Sequence, residues 1–300
     1  MSDGLTRDLL VVGSANLDVS VPVEHLPMPG ETVLGGDALW SPGGKGANQA
    51  VAAARLGRSV GFVGCVGSDA AGQQLLDALS ADGVAFAGRV IDDVPTGLAM
   101  IAVSADGENS ITVSPGTNAH LTAADVAAAI ESTRPSVVLA QFEVPLAALA
   151  AATSGRLIVN PAPAVGPSAE LSAVLDAASI VVPNQGELAQ LLGGTTASTQ
   201  DELIDQARAL PAETVVVTLG AAGALVVDGS VVLMVESMPV QAVDTTAAGD
   251  AFCGGLADGI ADGLSVADAA RWAARVAAVA VTRRGAQQSL GTRAEALAVV

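Results

Sequence analysis

The sequence contains few residues of the types that build disulfide scaffolds or zinc sites: two cysteines, two histidines and one lysine in 300 residues. Cys65 and Cys253 both lie in apolar surroundings, which suits a reducing compartment better than a disulfide-stapled fold. His25 and His120 have no partner at metal-ligand spacing, which argues against a zinc site. Lys45 is the single lysine among 13 basic residues, and the others are all arginines. The lysine ammonium differs from a guanidinium in shape and hydration.

Positive charge and long apolar runs are also scarce. The chain has 31 acidic residues against 13 basic ones, a net charge of −18, which argues against a nucleic-acid-binding surface. No apolar run reaches the roughly 18 residues of a membrane span, and residues 1–8 lack the basic start and apolar stretch of a signal peptide. We therefore expect a cytoplasmic protein. Its 51% hydrophobic content and its length suit one large α/β domain, residues 1–300.

Short apolar strands alternate with Ala-rich helices along the chain, a pattern typical of a mostly parallel sheet covered by helices. The predicted strands are residues 9–12, 60–66, 137–140, 157–159, 180–182 and 215–218. The predicted helices are residues 46–56, 72–82, 123–133, 146–152, 187–192, 201–210, 249–262 and 266–283. A hairpin is predicted over residues 224–235, because Asp228-Gly229 suits a tight reversal. The expected body is a three-layer α/β/α domain.

Two stretches contain strand pairs without crossover helices: residues 19–23 with 32–39, and 98–103 with 110–113. Strands without covering helices do not belong in a buried parallel sheet. We therefore expect a small protruding β-sheet, contributed by about residues 17–40 and 96–114, that acts as a lid or a dimerisation surface.

The segment Asp244-Thr-Thr-Ala-Ala-Gly-Asp250 carries the most functional information. It places small residues between two carboxylates and then opens into a predicted helix. Backbone N–H groups at a helix start attract anions, since they lack partners within the helix. A carboxylate such as Asp250 beside an anion site has a purpose if it takes a proton from a hydroxyl that attacks a phosphoryl group.

A Gly-rich segment, Ser41-Pro-Gly-Gly-Lys-Gly-Ala-Asn-Gln-Ala50, leads into the first predicted helix. Its glycines allow a ligand to approach the backbone, and Lys45 and Asn48 lie three apart on a first helical turn. The spacing is not that of a P-loop. A Gly-rich helix entry with a solvated lysine explains the segment equally simply.

Other polar residues follow predicted strands, and each has a structural explanation of its own. Asn16 and Asp18 could cap the first strand in an Asx turn, and Glu143 could be a surface cap. Asn184 and Glu187 have capping-box spacing, which explains them as well as a magnesium–phosphate role does. The glycines of residues 218–223 could simply form a turn. All of these positions except the turn before the hairpin, however, lie just past a predicted strand or at the following helix start, and so mark one edge of the sheet, where ligands bind in α/β folds.

These motifs resemble those of the ribokinase-like (PfkB) carbohydrate kinases. The resemblance extends nearly end to end, and it is carried by residues 13–18, 29–32, 43–50, 160–163, 183–184, 243–250 and 280–286. The two glycine-containing signatures, around Lys45 and around Asp250, are specific. The resemblance implies a ribokinase-like fold and ATP-dependent phosphorylation of D-ribose at its 5-hydroxyl. It also implies a homodimer that forms through the β-lid, which closes over the sugar.

The resemblance further implies roles for individual residues. Asp250 would be the base, and the N–H groups of Ala247, Ala248 and Gly249 would form the anion hole. The implied sugar contacts are Asn16, Asp18, Gly43, Gly44, Lys45, Asn48, Glu143 and Asp250. The implied ATP contacts are Asn184, Thr218, Gly220, Gly223 and Gly249, with Glu187 organising Mg²⁺ through water. The implied K⁺ site comprises Asp244, Thr246, Ala280, Arg283, Gly285 and Ser289.

Two alternatives stay open on the sequence alone. The same chemistry could act on 2-deoxyribose, another sugar such as fructose, or a nucleoside. The chain could instead be a non-catalytic sensor that only binds sugar or nucleotide, although an intact Asp250 and anion-hole loop argue against this.

Overall fold

The structure is a computed structural model that describes residues 8–152 and 155–299. Residues 1–7, where a signal peptide would begin, therefore lie outside the described residues. Within the described ranges, none of the helices has both the length and the apolar character needed to cross a membrane.

Strands and helices alternate over much of the chain. The strands are β1 Leu9–Val12, β2 Asn16–Val23, β3 Leu39–Gly43, β4 Val60–Val63, β5 Cys65–Gly67, β6 Ala85–Phe86, β7 Arg89–Ile91, β8 Gly97–Ser104, β9 Asn109–Ser114, β10 Val137–Gln141, β11 Arg156–Asn160, β12 Ile180–Val181, β13 Thr214–Thr218, β14 Ala224–Asp228 and β15 Val231–Val235. The helices are α1 Lys45–Arg55, α2 Ala70–Ala81, α3 Ala123–Thr133, α4 Leu146–Leu149, α5 Ala169–Ala177, α6 Gln185–Leu191, α7 Gln200–Arg208, α8 Ala248–Ala261, α9 Val266–Val281 and α10 Arg293–Ala298.

The main sheet of the described chain has nine strands in the order β15-β14-β13-β12-β11-β10-β1-β4-β6. All neighbours run parallel except the hairpin β14–β15 and its junction with β13. Helices cover both faces, so the central strands are apolar on both sides. In β1, Leu9 and Val11 pack into one core while Leu10 and Val12 pack into the other.

Helices α1, α2, α8, α9 and α10 pack on one face of this sheet, and α3 to α7 pack on the other. The predicted three-layer α/β/α body is therefore confirmed. The carboxyl ends of the parallel strands meet at one edge of the sheet, which is where the candidate site lies.

A second sheet, with strand order β3-β2-β8-β9, stands off the body as predicted. Only residues 13–15 separate its strand β2 from β1, so the lid strand that starts at Asn16 continues almost directly from the core strand. Its outer rows expose apolar side chains, including Leu39, Trp40 and Ile111. We refer to this four-stranded sheet as the lid.

The predicted strand over residues 32–39 is wrong. Residues 31–38 form no regular structure, and the strand that pairs with β2 is β3, where Gly43 lies opposite Asn16. Pro42 disfavours a strand in the interior of a sheet, but β3 is an edge strand, where a missing N–H costs no ladder hydrogen bond.

Several other boundaries differ from the sequence prediction. The strand predicted over residues 60–66 is interrupted at Gly64, where an added Cβ would lie 2.5 Å from the Gly13 carbonyl oxygen. The helix predicted over residues 146–152 is the single turn α4. The short elements β6, β7, α5 and α10 were not predicted, because runs of two to nine residues carry little periodic signal.

Candidate active site

A cavity of about 240 Å³ opens at the carboxyl edge of the main sheet. It is lined by Lys45, Asn160, Ala162, Val182, Asn184, Glu187, Thr218, Thr245, Ala247, Gly249, Asp250 and Cys253. The cavity therefore brings together residues from the Gly-rich segment, from the ends of β11, β12 and β13, and from the start of α8. Sequence motifs up to about 200 positions apart meet here, as their shared strand-end location predicted.

Asp250 lies in the first turn of α8 and is almost fully buried. Ala247, the residue before the helix, has a left-handed backbone with φ of 57°, which turns the chain sharply into α8. The Ala248 N–H donates to the Thr245 carbonyl at 3.2 Å, whereas the N–H groups of Ala247 and Gly249 make no hydrogen bond with any described residue. The anion hole predicted from three N–H groups thus has two free donors in this structure.

Two side-chain amides hold the Asp250 carboxylate. Asn48 Nδ2 donates to Oδ2 at 2.9 Å, and Gln49 Nε2 donates to Oδ1 at 3.0 Å. The carbonyl oxygen of the Asn48 amide is buried without a partner among the described residues. Because buried acceptors are normally satisfied, this oxygen is suited to accept a hydrogen bond from a ligand hydroxyl.

Charged groups cluster around this carboxylate. Burial raises the pKa of Asp250, while the Lys45 ammonium and the two amide hydrogen bonds oppose the shift. Burial, with the neighbouring Glu143 and Asp250 charges, also raises the pKa of Asp18 to about 7. Burial alone would lower the pKa of Lys45, but the charges of Asp250, Glu143 and Glu187 outweigh it and raise that pKa. The lysine therefore stays charged near Asp18 and Asp250, two carboxylates that gain a proton more readily than usual.

Close backbone approach explains the two glycines before Lys45. A Cβ on Gly43 would lie 2.0 Å from the Asp18 carboxylate, and one on Gly44 would lie 2.7 Å from the Asn16 backbone nitrogen. Gly44 also has φ of 87°, which side chains rarely adopt. The glycines let α1 begin directly against β2, and this places Lys45 beside Asp18.

Glu143 joins three segments at the same place. Its Oε2 accepts from the Ser14 hydroxyl at 2.5 Å and from the Lys45 backbone N–H at 3.1 Å, so it holds the start of α1. Carboxylates are favoured at helix N-termini, where N–H groups lack partners. Its Oε1 accepts no hydrogen bond from the described residues and remains available to a ligand.

Asn16 is buried and held by Asn118. The Asn118 amide donates to Asn16 Oδ1 at 2.7 Å and accepts from the Ala15 backbone N–H at 3.0 Å. Asn16 and Asp18 are therefore not an Asx turn. They lie in β2, on the face of the lid that looks toward Glu143.

Asn184 and Glu187 form the capping box that their spacing predicted. The Asn184 side chain accepts from the Glu187 N–H, and Glu187 Oε2 accepts from the Asn184 N–H, each at 2.8 Å. Both residues also line the cavity. Glu187 Oε1 accepts no hydrogen bond among the described residues, so the structural role leaves one oxygen free.

The turn after β13 contributes only partly to the cavity. Thr218 lines it, but Gly220 and Gly223 do not. Gly223 has φ of 92°, and an added Cβ would lie 2.0 Å from the Val235 carbonyl, so its glycine is required by the hairpin.

Asp244 faces away from the cavity. Its Oδ1 accepts from the Thr246 backbone at 2.9 Å, and its Oδ2 accepts from the Gly285 N–H at 2.9 Å. Burial opposes its charge, but the hydrogen bonds from Thr246 and Gly285 outweigh it and lower the pKa of Asp244. The carboxylate thereby ties the loop before α8 to the turn after α9, which contains Arg283 and Ser289 and follows Ala280.

Sequence reasoning assigned no role to five polar residues near the site: Ser14, Gln49, Asn118, Gln141 and Asn160. The first three hydrogen-bond to predicted site residues, and the last two hydrogen-bond to Gln49. Gln49 carried a usable signal, because it follows Lys45 by four residues and so lies on the same helix face. Cys253, predicted only to be buried, lines the cavity one turn after Asp250, and burial raises the pKa of its thiol well above its usual value.

The fold and the site define a class: α/β enzymes with a cavity at the carboxyl edge of the main sheet and a separate small β-sheet. The family model for pfkB family carbohydrate kinases matches residues 6–293, so the chain belongs to that family. It is 36% identical to the ribokinase of Haemophilus influenzae, with 98% of each chain covered.

Solved structures of related kinases have the same fold. Arabidopsis thaliana ribokinase complexed with ribose and ATP is 30% identical and has a TM-score of 0.86, with 98% of this chain and 99% of that chain covered. Escherichia coli phosphofructokinase-2 in complex with potassium is 25% identical with a TM-score of 0.78, and 98% of each chain is covered.

Proposed function

We propose that this chain is a ribokinase, an ATP-dependent kinase that transfers a phosphoryl group to the 5-hydroxyl of D-ribose. The observation that carries the proposal is the position of Asp250. Its buried carboxylate lies beside the free N–H of Gly249, in a cavity that extends to Asn184 and Thr218. A base and an anion-binding backbone in one cavity are what phosphoryl transfer to an alcohol requires. Full-length similarity to ribokinases supports ribose as the acceptor.

Some residues of the site would bind the sugar, and Asp250 would accept the proton. Asp18, Asn48 and Glu143 would offer acceptors to the sugar hydroxyls, which offsets the cost of removing a polyol from water. The 5-hydroxyl would give its proton to Asp250 as it attacks the terminal phosphoryl group of ATP. The free N–H groups at the start of α8 would then stabilise charge on the transferred oxygens.

Mg²⁺ fits this cavity as a partner of the nucleotide rather than as a tightly caged ion. Among residues 8–152 and 155–299, no three Asp, Glu, His or Cys side chains come together as metal ligands. Mg²⁺ commonly keeps several waters and binds through phosphates and one or two carboxylates. The free Oε1 of Glu187 would meet such a water, and the bound ion would neutralise phosphate charge.

The direct test is a panel of acceptors assayed with Mg-ATP and compared by kcat/KM. D-ribose should give the highest value, above 2-deoxyribose, fructose and inosine. A higher value for inosine would assign the chain to nucleoside phosphorylation. Ribose binding without phosphate transfer would favour the sensor.

A K⁺ site beside Asp244 is also proposed, and the potassium complex of the E. coli relative supports it. Oδ2 of Asp244 accepts a single hydrogen bond, which leaves an acceptor position for a cation. A cation there would brace the loop that leads into α8 without touching the sugar. Replacing K⁺ with Na⁺ at equal ionic strength should lower kcat. Equal rates in the two salts would contradict the site.

The lid is proposed to pair with a second copy of the chain. Leu39 and Ile111 lie in register on the same face of the lid as Asp18, and they are 64% and 53% exposed. Light scattering should give twice the 29.4 kDa chain mass. The double variant L39E/I111E should be monomeric, whereas L297E, which changes an exposed leucine on α10, should stay dimeric. A monomeric unmodified protein would refute the dimer.

A further inference from the structure

A chain of side-chain amides leads away from the Asp250 carboxylate. Gln49, which is fully buried in α1, uses Nε2 to contact both Asp250 Oδ1 and Asn160 Oδ1, each at 3.0 Å. Its own carbonyl oxygen accepts from Gln141 Nε2 at 2.6 Å. Every polar atom of the Gln49 side chain is therefore used.

The direction of this chain is set at its far end. Asn160 Nδ2 donates to the Val182 backbone carbonyl at 2.9 Å, and a carbonyl can only accept. Asn160 must therefore turn its Oδ1 toward Gln49, which in turn must present its NH₂ group. With Gln141 donating to its other end, the Gln49 amide cannot rotate, and its N–H points at Asp250 whether or not a ligand is present.

Asn48, the second partner of Asp250, is less constrained. Its carbonyl oxygen has no partner among the described residues, so its amide can exchange Asp250 for a sugar hydroxyl. The two oxygens of Asp250 thus differ: Oδ1 is permanently occupied by Gln49, whereas Oδ2 can be released.

We propose that Gln49 is the positioning residue for the catalytic base: it holds Oδ1 of Asp250 so that Oδ2 faces the acceptor hydroxyl as a carboxylate. The inference rests on the proposed kinase function. Gln49 is fully buried and does not line the cavity, so its loss should act on turnover rather than on sugar binding.

The pKa of Asp250, measured from the pH dependence of kcat, is a readout that a merely structural glutamine would not change. The hydrogen bond from Gln49 lowers the pKa of Asp250 against the effect of burial. Without it that pKa rises, and since the base must be ionised, the acid limb of the kcat profile should move to higher pH. The other titratable groups that face or lie near Asp250 are Lys45, Glu143, Asp18, Glu187 and Cys253. The substitution does not alter these groups, so they are the same in the variant and in the unmodified protein.

The experiment compares Q49M, Q49E and a control, Q206M, in steady-state assays with ribose and Mg-ATP across pH. Methionine matches the length and flexibility of glutamine but cannot donate. We expect Q49M to lower kcat by about 10- to 100-fold, the usual value of a hydrogen bond to a charged group. The KM for ribose should change by less than about threefold, since uniform sugar binding is retained. Gln206 lies partly buried on α7, away from the cavity, so Q206M should match the unmodified protein.

Q49E supplies a second, nearly isosteric test in case Q49M does not fold. Two carboxyl groups in contact cannot both ionise, so the introduced carboxyl group and Asp250 should together keep a proton. Because two carboxyl groups in contact titrate as a pair, the kcat profile of Q49E should contain a second ionisation that is absent from the profile of Q49M. A folded Q49E whose kcat profile matches that of the unmodified protein, or a Q49M with unchanged kcat, would overturn the proposal. Failure of the kinase assignment itself would appear differently, as an unmodified protein that does not phosphorylate ribose.

Discussion

Asp250→Asn should lower kcat for phosphoryl transfer to ribose by about 10²- to 10⁴-fold, the range typical for the loss of a general base. Asparagine has nearly the same shape but cannot accept the proton of the 5-hydroxyl. The effect should appear equally in kcat and kcat/KM, because the lost interaction belongs to the transition state.

The fold should survive this substitution, for a reason visible in the amide contacts. The introduced asparagine would turn its side-chain oxygen toward Gln49, whose NH₂ group cannot rotate away. Its NH₂ group would then face Asn48, and the Asn48 amide can flip to offer its unused carbonyl oxygen. No buried donor would be left facing another donor, and the flip only exchanges the unpartnered Asn48 oxygen for an unpartnered N–H, so the number of unsatisfied buried groups does not rise.

The measurement pairs kinetics with binding. Calorimetric titration should show ribose affinity within a few-fold of the unmodified protein while turnover collapses. Asp77→Asn on α2, an acid remote from the cavity, is the matched control and should leave both quantities unchanged. Turnover of D250N within tenfold of the unmodified enzyme would remove Asp250 from the role of base.

The sequence was sufficient to predict the core strands, the start of α8 and the capping box because the signals for these features are local. Buried parallel strands such as β1 appear as unbroken apolar runs, and small residues ahead of an acid mark the start of α8. The capping box of Asn184 and Glu187 was likewise predicted from spacing alone, since its partners lie three residues apart. The sequence could not tell whether Glu187 also serves a ligand, because one carboxylate can do both.

The contacts that hold Asp250, the proposed base, are not local, and this is why they were missed. Gln49 and Asp250 are separated by 201 positions, and Gln49 and Gln141 by 92. Helix spacing places Gln49 on the face of Lys45, but only the packing of α1 against α8 and β10 shows what that face meets. Edge strand β3 was misplaced for a related reason: whether Pro42 is tolerated depends on which side of the lid has no neighbour.

Asp258→Ala should destabilise the protein by about 3–5 kcal/mol, the usual cost of removing one partner from a buried ion pair. Asp258 lies in α8 two turns beyond Asp250 and is fully buried. Its carboxylate accepts from Arg58 Nε at 2.5 Å, from Arg293 at 2.7 and 2.8 Å, and from Trp272 Nε1 at 2.7 Å. One acid therefore joins α8 to α9, to α10 and to the residues after α1.

The loss is large because the partners cannot simply return to water. The Arg58 side chain is only 13% exposed, and the Arg293 guanidinium lies 5.3 Å from the centre of the Trp272 ring. Removing Asp258 leaves the two cations with the more exposed Asp262 as the acid they still share, and the half-buried Trp272 indole N–H loses its acceptor. Weaker compensation of the two guanidinium charges and the lost indole hydrogen bond then act in the same direction.

Asp262, which directly follows the last residue of α8, provides a matched control. It pairs with the same two arginines but is 42% exposed, so Asp262→Ala should cost at most about 1 kcal/mol. Urea unfolding of the two variants measures the difference directly, and an unchanged m-value would show that the unfolded state is the same. Because Asp258 lies about 12 Å along the helix from Asp250, folded D258A should retain turnover within a few-fold. Equal destabilisation by the two substitutions would show that burial of Asp258 does not decide its contribution.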